Sequence, residues 1–142
     1  MSGCYDCFNS TICLSCSQGF FLRNDKICYT SCLSGFYQNV TTLVCDSCSN
    51  GCSSCPNSTE CTQCFSGFFL RPSDKLCHTS CLTGFYQNTT TNTCDNCPLP
   101  CSTCVNLTHC NECSSGFFLR SDNFCHSDCT QSNYPNSTTN RC

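Results

Sequence analysis

The sequence predicts a small disulfide-rich fold: an elongated tandem rod of short β-hairpin modules with no large hydrophobic core. Three observations predict it. Of 142 residues 23 are Cys, a density that marks a covalently stapled scaffold. Outside the cysteines the apolar set is thin, with 11 Phe and 5 Tyr but 1 Met and no Trp. Finally, the cysteines recur in three in-phase copies that open at Cys4, Cys52 and Cys101. A chain made mostly of Ser, Thr, Asn and Gly between cysteines cannot bury one large core, so cross-links replace the missing hydrophobic term. A bridge closing about 12 residues contributes roughly 2–4 kcal/mol, mainly by restricting the unfolded chain.

The copies carry the spacing C-x2-C-x5-C-x2-C-x11/12-C-x3-C-x12-C-x2-C, followed in the first two by three residues and the next copy, while the third runs as far as the C-x12-C that ends at Cys142. Internal repetition of this kind sets the domain organisation. Residues 1–48 form an N-terminally truncated first repeat, 49–97 the second and 98–142 the third. Cysteine arrives too often for a helix of useful length, and no segment shows a 3.6-residue apolar period. The segments from Cys16 to Cys28, Cys64 to Cys77 and Cys113 to Cys125 each hold Gly-Phe-Phe-Leu-Arg and then a polar turn. Those turns, Asn24-Asp25, Pro72-Ser73-Asp74 and Ser121-Asp122-Asn123, have the composition that reverses a hairpin. The segments from Cys32 to Cys45 and Cys81 to Cys94 carry Gly-Phe-Tyr-Gln-Asn and a Thr-rich stretch. In each, one aromatic covers the local bridge while its neighbour faces solvent or the next module, giving a series of miniature cores.

Disulfides persist in an oxidising compartment, which places the chain outside the cell or at its surface. Six N-x-S/T sequons, at Asn9, Asn39, Asn57, Asn88, Asn106 and Asn136, agree with that placement. They keep register: Asn9, Asn57 and Asn106 share one repeat position, and Asn39, Asn88 and Asn136 share the other. N-linked glycans are therefore expected in two regular rows. A net charge of −3 with 11% charged residues argues against nucleic acid or an anionic membrane as partner. No run of about 18 apolar residues offers direct membrane insertion. Residues 1–30 already hold five cysteines and no apolar export segment. The numbering is thus expected to start inside a longer protein, with Met1 not its natural beginning.

Sharper chemistry finds little support. Structural zinc sites separate their C-x2-C pairs by roughly a dozen residues or more, whereas five separate Cys4-x2-Cys7 from Cys13-x2-Cys16. No metal and no cofactor beyond glycans is expected. A thioredoxin-like role needs a helix start in a βαβ unit, which the pattern lacks. His78 and His126 share a repeat position that holds Tyr29 in the first copy, so they read as half-exposed hairpin residues, and His109 stands alone. Arg23, Arg71 and Arg120 beside their aromatics form a possible binding stripe, but such aromatics more often pad disulfides. No catalytic residues are assigned, and the chain is not expected to be an enzyme.

The run Cys48, Cys52, Cys55, Cys61, Cys64, GFFLR, Cys77, Cys81, GFY, Cys94 resembles the furin-like cysteine-rich repeat of growth-factor receptors, R-spondins and proprotein convertases. The resemblance covers essentially the whole chain. The Asn/Thr-rich, near-identical copies are also similar in style to cysteine-rich surface proteins of ciliates. Spacing alone leaves connectivity open; the resemblance implies a two-bridge knot and two one-bridge hairpins per copy. Carried across, it implies Cys4–Cys13, Cys16–Cys28 and Cys32–Cys45 in the first copy. In the second it implies Cys48–Cys55, Cys52–Cys61, Cys64–Cys77 and Cys81–Cys94. In the third it implies Cys97–Cys104, Cys101–Cys110, Cys113–Cys125 and Cys129–Cys142. Cys7 is left unpaired, its expected partner standing four residues before Cys4.

The leading expectation is a structural, glycosylated repeat segment of an extracellular filament, coat or stalk, since repeats contact only their neighbours. Its partners are then neighbouring repeats or further copies through self-association. The alternative is a ligand-binding or dimerisation arm of a receptor-like surface protein, for which no large apolar patch is evident. A convertase-like accessory region is the third reading and requires a catalytic domain elsewhere.

Overall fold

The computed structural model describes residues 2–130 and 133–142. It forms two compact units, Met1–His78 and Thr79–Cys142. Both are built from short antiparallel strand pairs, with no helix among the described residues. No helix long and apolar enough to cross a membrane is present among them.

In the first unit β1 (Cys4–Cys7) pairs with β2 (Cys13–Cys16), setting Cys4 opposite Cys16 and Cys7 opposite Cys13 with irregular register between. A hairpin of β3 (Phe21–Leu22) and β4 (Cys28–Tyr29) follows, then one of β5 (Phe36–Asn39) and β6 (Val44–Ser47). These two hairpins are not independent. Leu22 pairs in parallel with Val44, giving a four-stranded sheet in the order β4-β3-β6-β5. The Leu22 N–H donates to Leu43 O at 2.8 Å, so the hairpins share main-chain bonds as well as sequence. After them come the pair β7 (Cys52–Ser54) with β8 (Gln63–Cys64) and the hairpin of β9 (Phe69–Leu70) with β10 (Cys77–His78).

In the second unit β11 (Phe85–Asn88) pairs with β12 (Thr93–Asn96), and β13 (Cys101–Asn106) with β14 (His109–Cys113). The last hairpin joins β15 (Phe118–Leu119) to β16 (Cys125–His126). Leu119 then repeats the part played by Leu22, bridging in parallel to Arg141 and donating to Asn140 O at 2.8 Å.

The hairpins reverse where an acidic or amide side chain caps the turn. Asp25, Asp74 and Asp122 accept the N–H two residues on, from Ile27, Leu76 and Phe124 at 3.0–3.1 Å. The residue between stands in the left-handed region: Lys26 at φ 63°, Lys75 at 55° and Asn123 at 63°. This is an Asx turn followed by a reversal, the reason such turns favour Asp and Asn.

The core is largely sulfur. Apart from Phe21, Phe69 and Leu119, every buried apolar residue among those described is a cysteine. Three separate buried clusters form, around Cys13, Cys16 and Cys28, around Cys52, Cys61, Cys64 and Cys77, and around Cys97, Cys101, Cys104, Cys110, Cys113 and Leu119. Successive bridges touch in each copy: Cys13 and Cys28 sulfurs lie 3.3 Å apart, Cys61 and Cys77 3.2 Å, and Cys110 and Cys125 3.1 Å. The first Phe of each Gly-Phe-Phe-Leu-Arg run, Phe20, Phe68 or Phe117, packs on its local cluster. In this way both aromatics of the run are used, one in the strand (buried at Phe21 and Phe69, half-buried at Phe118) and one lying on the knot. Tyr86, half-buried, covers the cluster of the following knot.

Candidate functional site

Three sets of side chains stand out along this scaffold: the bridges with the free thiol, the capped turns with their Tyr or His, and the sequon turns. The strand pairings bring the cysteines into bridging range. Among the described residues the structure joins Cys4–Cys13, Cys16–Cys28, Cys32–Cys45, Cys48–Cys55, Cys52–Cys61 and Cys64–Cys77. It further joins Cys81–Cys94, Cys97–Cys104, Cys101–Cys110, Cys113–Cys125 and Cys129–Cys142. The first, tenth and other pairs all hold their Cα atoms 5.5–5.8 Å apart, inside the range a disulfide spans. Cys7 is the free thiol, exposed, with its sulfur 2.8 Å from Cys4 Sγ.

Several cysteine triads gather within ligand range of one another, such as Cys52, Cys61 and Cys77, or Cys4, Cys7 and Cys13. In the first of these every sulfur is held in an S–S bond, and a metal needs the thiolate. The second offers only the Cys7 thiol while Cys4–Cys13 stays closed.

The Tyr or His that ends the return strand meets the turn Asp in each copy. The Tyr29 hydroxyl donates to Asp25 Oδ2 at 3.0 Å, and the His78 and His126 Nε2 atoms lie 2.8 Å from Asp74 Oδ2 and Asp122 Oδ2. That bond to Asp25 raises the Tyr29 phenol above its ordinary value. At Asp74, desolvation pushes the carboxyl up, but the Leu76 N–H and the His78 ring outweigh it and hold the group below its usual range. The Phe124 N–H holds Asp122 low, helped by His126 and opposed by desolvation. The sequence reading places His78 and His126 on half-exposed hairpin positions without identifying these carboxylates. The recoverable signal was an Asp four residues before each Tyr or His.

The arginines are spent on the backbone. Arg23 donates from Nε and Nη2 to Ser31 O at 3.1 and 2.6 Å, with its guanidinium 3.8 Å above the Tyr29 ring. Arg120 donates to Asp128 O from the same two nitrogens, and its Nη2 also reaches Asp128 Oδ1 at 2.6 Å. A recess of about 230 Å³ beside Arg23 is lined by Asn24, Asp25, Leu33, Phe36 and Cys45. Its charged groups already have partners in Ser31 and Tyr29. Among the described residues no hydroxyl or thiol nucleophile bonds to His78 or His126, and His109 meets only the neighbouring Thr108 hydroxyl, at 3.0 Å.

All six sequon asparagines cap turns. Asn9, Asn57 and Asn106 accept the N–H of Thr11, Thr59 and Thr108 at 2.8–2.9 Å, and each of those hydroxyls donates to the same Asn oxygen. Asn39, Asn88 and Asn136 accept from the N–H of Thr41, Thr90 and Thr138 at 3.0–3.1 Å and also from the residue after. Asn39 and Asn88 carry a further bond: their Nδ2 donates to Asp46 Oδ2 at 2.7 Å and Asp95 Oδ2 at 2.6 Å.

Consecutive copies join through one repeated contact. The Gly35 N–H and the Ser34 hydroxyl both donate to Ser53 O, at 2.8 and 2.9 Å, and Cys48 N–H returns to Gly35 O at 2.8 Å. In the second unit Gly84 N–H donates to Ser102 O at 3.0 Å, and Cys97 N–H returns to Gly84 O at 2.8 Å. The hairpin closed by one copy is thus bonded into the knot that opens the next.

No protein-family model matches the chain, and no match is found among the curated proteins. The fold defines its class: a small disulfide-rich β protein, a kind of scaffold that is typically structural. Its many bridges belong to an oxidising, extracellular or secretory environment.

Proposed function

We propose that this chain is a structural repeat segment of a glycosylated extracellular or cell-surface protein, part of a filament, coat or stalk, built from furin-like cysteine-rich repeats. It is not an enzyme on this reading. The observation that carries it is the repeated joint, in which Gly35 bonds Ser53 and Gly84 bonds Ser102 in the same way. Identical joints propagate a repeat by nearest-neighbour contacts alone, which suits a quasi-one-dimensional array. The arginines support it too, because Arg23 and Arg120 brace the backbone of their own module instead of pointing at a ligand. Its partners are neighbouring repeats and further copies of the chain; glycans are the one added group, and no cofactor is required.

Negative-stain microscopy of native material tests the proposal. Regular fibres or a continuous coat support it. A monodisperse monomer that binds a soluble ligand sinks it in favour of a receptor arm. Loss of intact mass on glycosidase treatment tests the sugar component separately.

A further inference from the structure

We infer that the sequons are of two chemical kinds, and that sugar is carried where the asparagine amide is free, at Asn9, Asn57 and Asn106, while Asn39 and Asn88 are turn-building residues that stay unmodified. The inference rests on the glycoprotein reading above and narrows it to particular positions.

The reacting atom in N-glycosylation is the side-chain nitrogen. Asn Nδ2 attacks the sugar C1 of a lipid-pyrophosphate-linked oligosaccharide. The N–C bond forms as the C1–O bond to pyrophosphate breaks, and the nitrogen's proton passes to a base on the transferase. An acceptor therefore has to present Nδ2 to an incoming bulky donor. At Asn9, Asn57 and Asn106 the turn occupies only the oxygen, which accepts from the Thr main chain and hydroxyl. Among the described residues Nδ2 has no partner there, and all three side chains are exposed.

Asn39 and Asn88 are placed differently by the sheet register. Asn39 pairs with Val44 at the hairpin end, so Asp46, two residues along the return strand, is its diagonal neighbour on the same face. Asn88, Thr93 and Asp95 repeat this arrangement. The resulting bonds, 2.7 and 2.6 Å from Nδ2 to a carboxylate, are charge-assisted and short. Thr93 Oγ1 donates to the other Asp95 oxygen at 2.7 Å, fixing that carboxylate in place. Both asparagines are half-buried. The Asn oxygen closes the Thr-rich turn and its nitrogen ties the turn to the opposite strand, so both ends of the amide are spent on the hairpin.

The bond to a carboxylate is what sets Asn39 and Asn88 apart from Asn9, Asn57 and Asn106. The bond is local, seven residues across one hairpin, and hairpins of this size close in about 1–10 μs once both strands are available. It is therefore in place early enough to compete with transfer.

The test is site-by-site occupancy by glycopeptide mass spectrometry on chain secreted from eukaryotic cells, for the wild type and for Asp95→Ala. Occupancy at Asn9, Asn57 and Asn106 is expected to exceed that at Asn39 and Asn88 by about tenfold, the scale of one charge-assisted hydrogen bond. Asp95→Ala is expected to raise Asn88 severalfold and leave Asn9 unchanged. Equal occupancy at these five positions or no rise in Asp95→Ala overturns the inference while the glycoprotein reading stands. Sugar at no position overturns both. Should Asp95→Ala fail to be secreted, reduced and oxidised chain are offered to the transferase in vitro with a lipid-pyrophosphate donor. Acceptance at Asn88 only in the reduced chain supports the inference, and refusal in both overturns it.

Discussion

The Phe68 ring lies where a side chain on Gly51 would stand: a Cβ added there meets the ring at 2.4 Å. Gly51 also has φ 75°, a region that L side chains rarely adopt. The same pair recurs as Gly3 with Phe20, where the Cβ would come within 2.3 Å. Close approach lets the aromatic lie on the knot and pad its bridges.

Gly51→Ala is expected to cost about 2–4 kcal/mol, combining a left-handed backbone penalty with overpacking. Phe68→Ala removes the colliding ring and leaves only the backbone term for the double variant, so the two changes should be less than additive. Thermal unfolding followed by near-ultraviolet circular dichroism of the four chains reads this. Strict additivity would show that ring and glycine do not interact.

Lys26 carries the opposite sign. It holds φ 63° in an exposed turn, where the third copy places Asn123 at φ 63°. Asn tolerates that region better than Lys. Lys26→Asn should therefore stabilise by about 0.5 kcal/mol, the usual scale for relieving a backbone mismatch. A lower melting temperature for the variant would refute the assignment.

What could be read in the sequence was whatever depended on spacing along the chain. Cysteine phase, Asn-Asp and Asn-Thr turns and the absence of a 3.6-residue period led to hairpin modules and several small cores, and Cys13 and Cys52 are indeed among the most deeply buried residues. Contacts set by strand register were not legible. Leu22 pairing with Val44 depends on how two hairpins lie side by side, and nothing in either segment marks it. Nothing in the sequence marks Asp46 and Asp95, because their partners sit across the turn. The arginine stripe was visible, but its target is a carbonyl, and a backbone acceptor leaves no mark in residue identity.

Arg23→Lys tests that last role. Two guanidinium nitrogens converge on Ser31 O while the plane stacks on Tyr29; an ammonium can do one of these at a time. Loss of about 1 kcal/mol is expected, near the net worth of a hydrogen bond to a charged donor plus a partly exposed cation–π contact. Unchanged stability would mean that solvent already satisfies Ser31 and that the stripe is free for another task.

The capped turns set the response to acid. Asp74 and Asp122 both titrate below their ordinary value of 3.8 when folded. A carboxyl with a depressed folded value binds protons more readily unfolded. It stabilises the fold above the unfolded value, and that contribution disappears as pH falls through the lower folded one. The melting temperature should stay level from neutral pH down to about pH 5 and decline below about pH 4. At the alkaline end Tyr29 has the opposite sense. Its raised value, caused first by the Asp25 bond, contributes below the ordinary value of 10.0 and fades as pH climbs through the folded one. Asp74→Asn together with Asp122→Asn should flatten the acid limb specifically, because Asn still accepts the Leu76 and Phe124 N–H groups but no longer titrates. The eleven bridges hold the chain near its native path on both sides, so the effect is a shift in midpoint and not outright acid unfolding. An acid limb of the same slope in the double variant would place the titrating groups elsewhere.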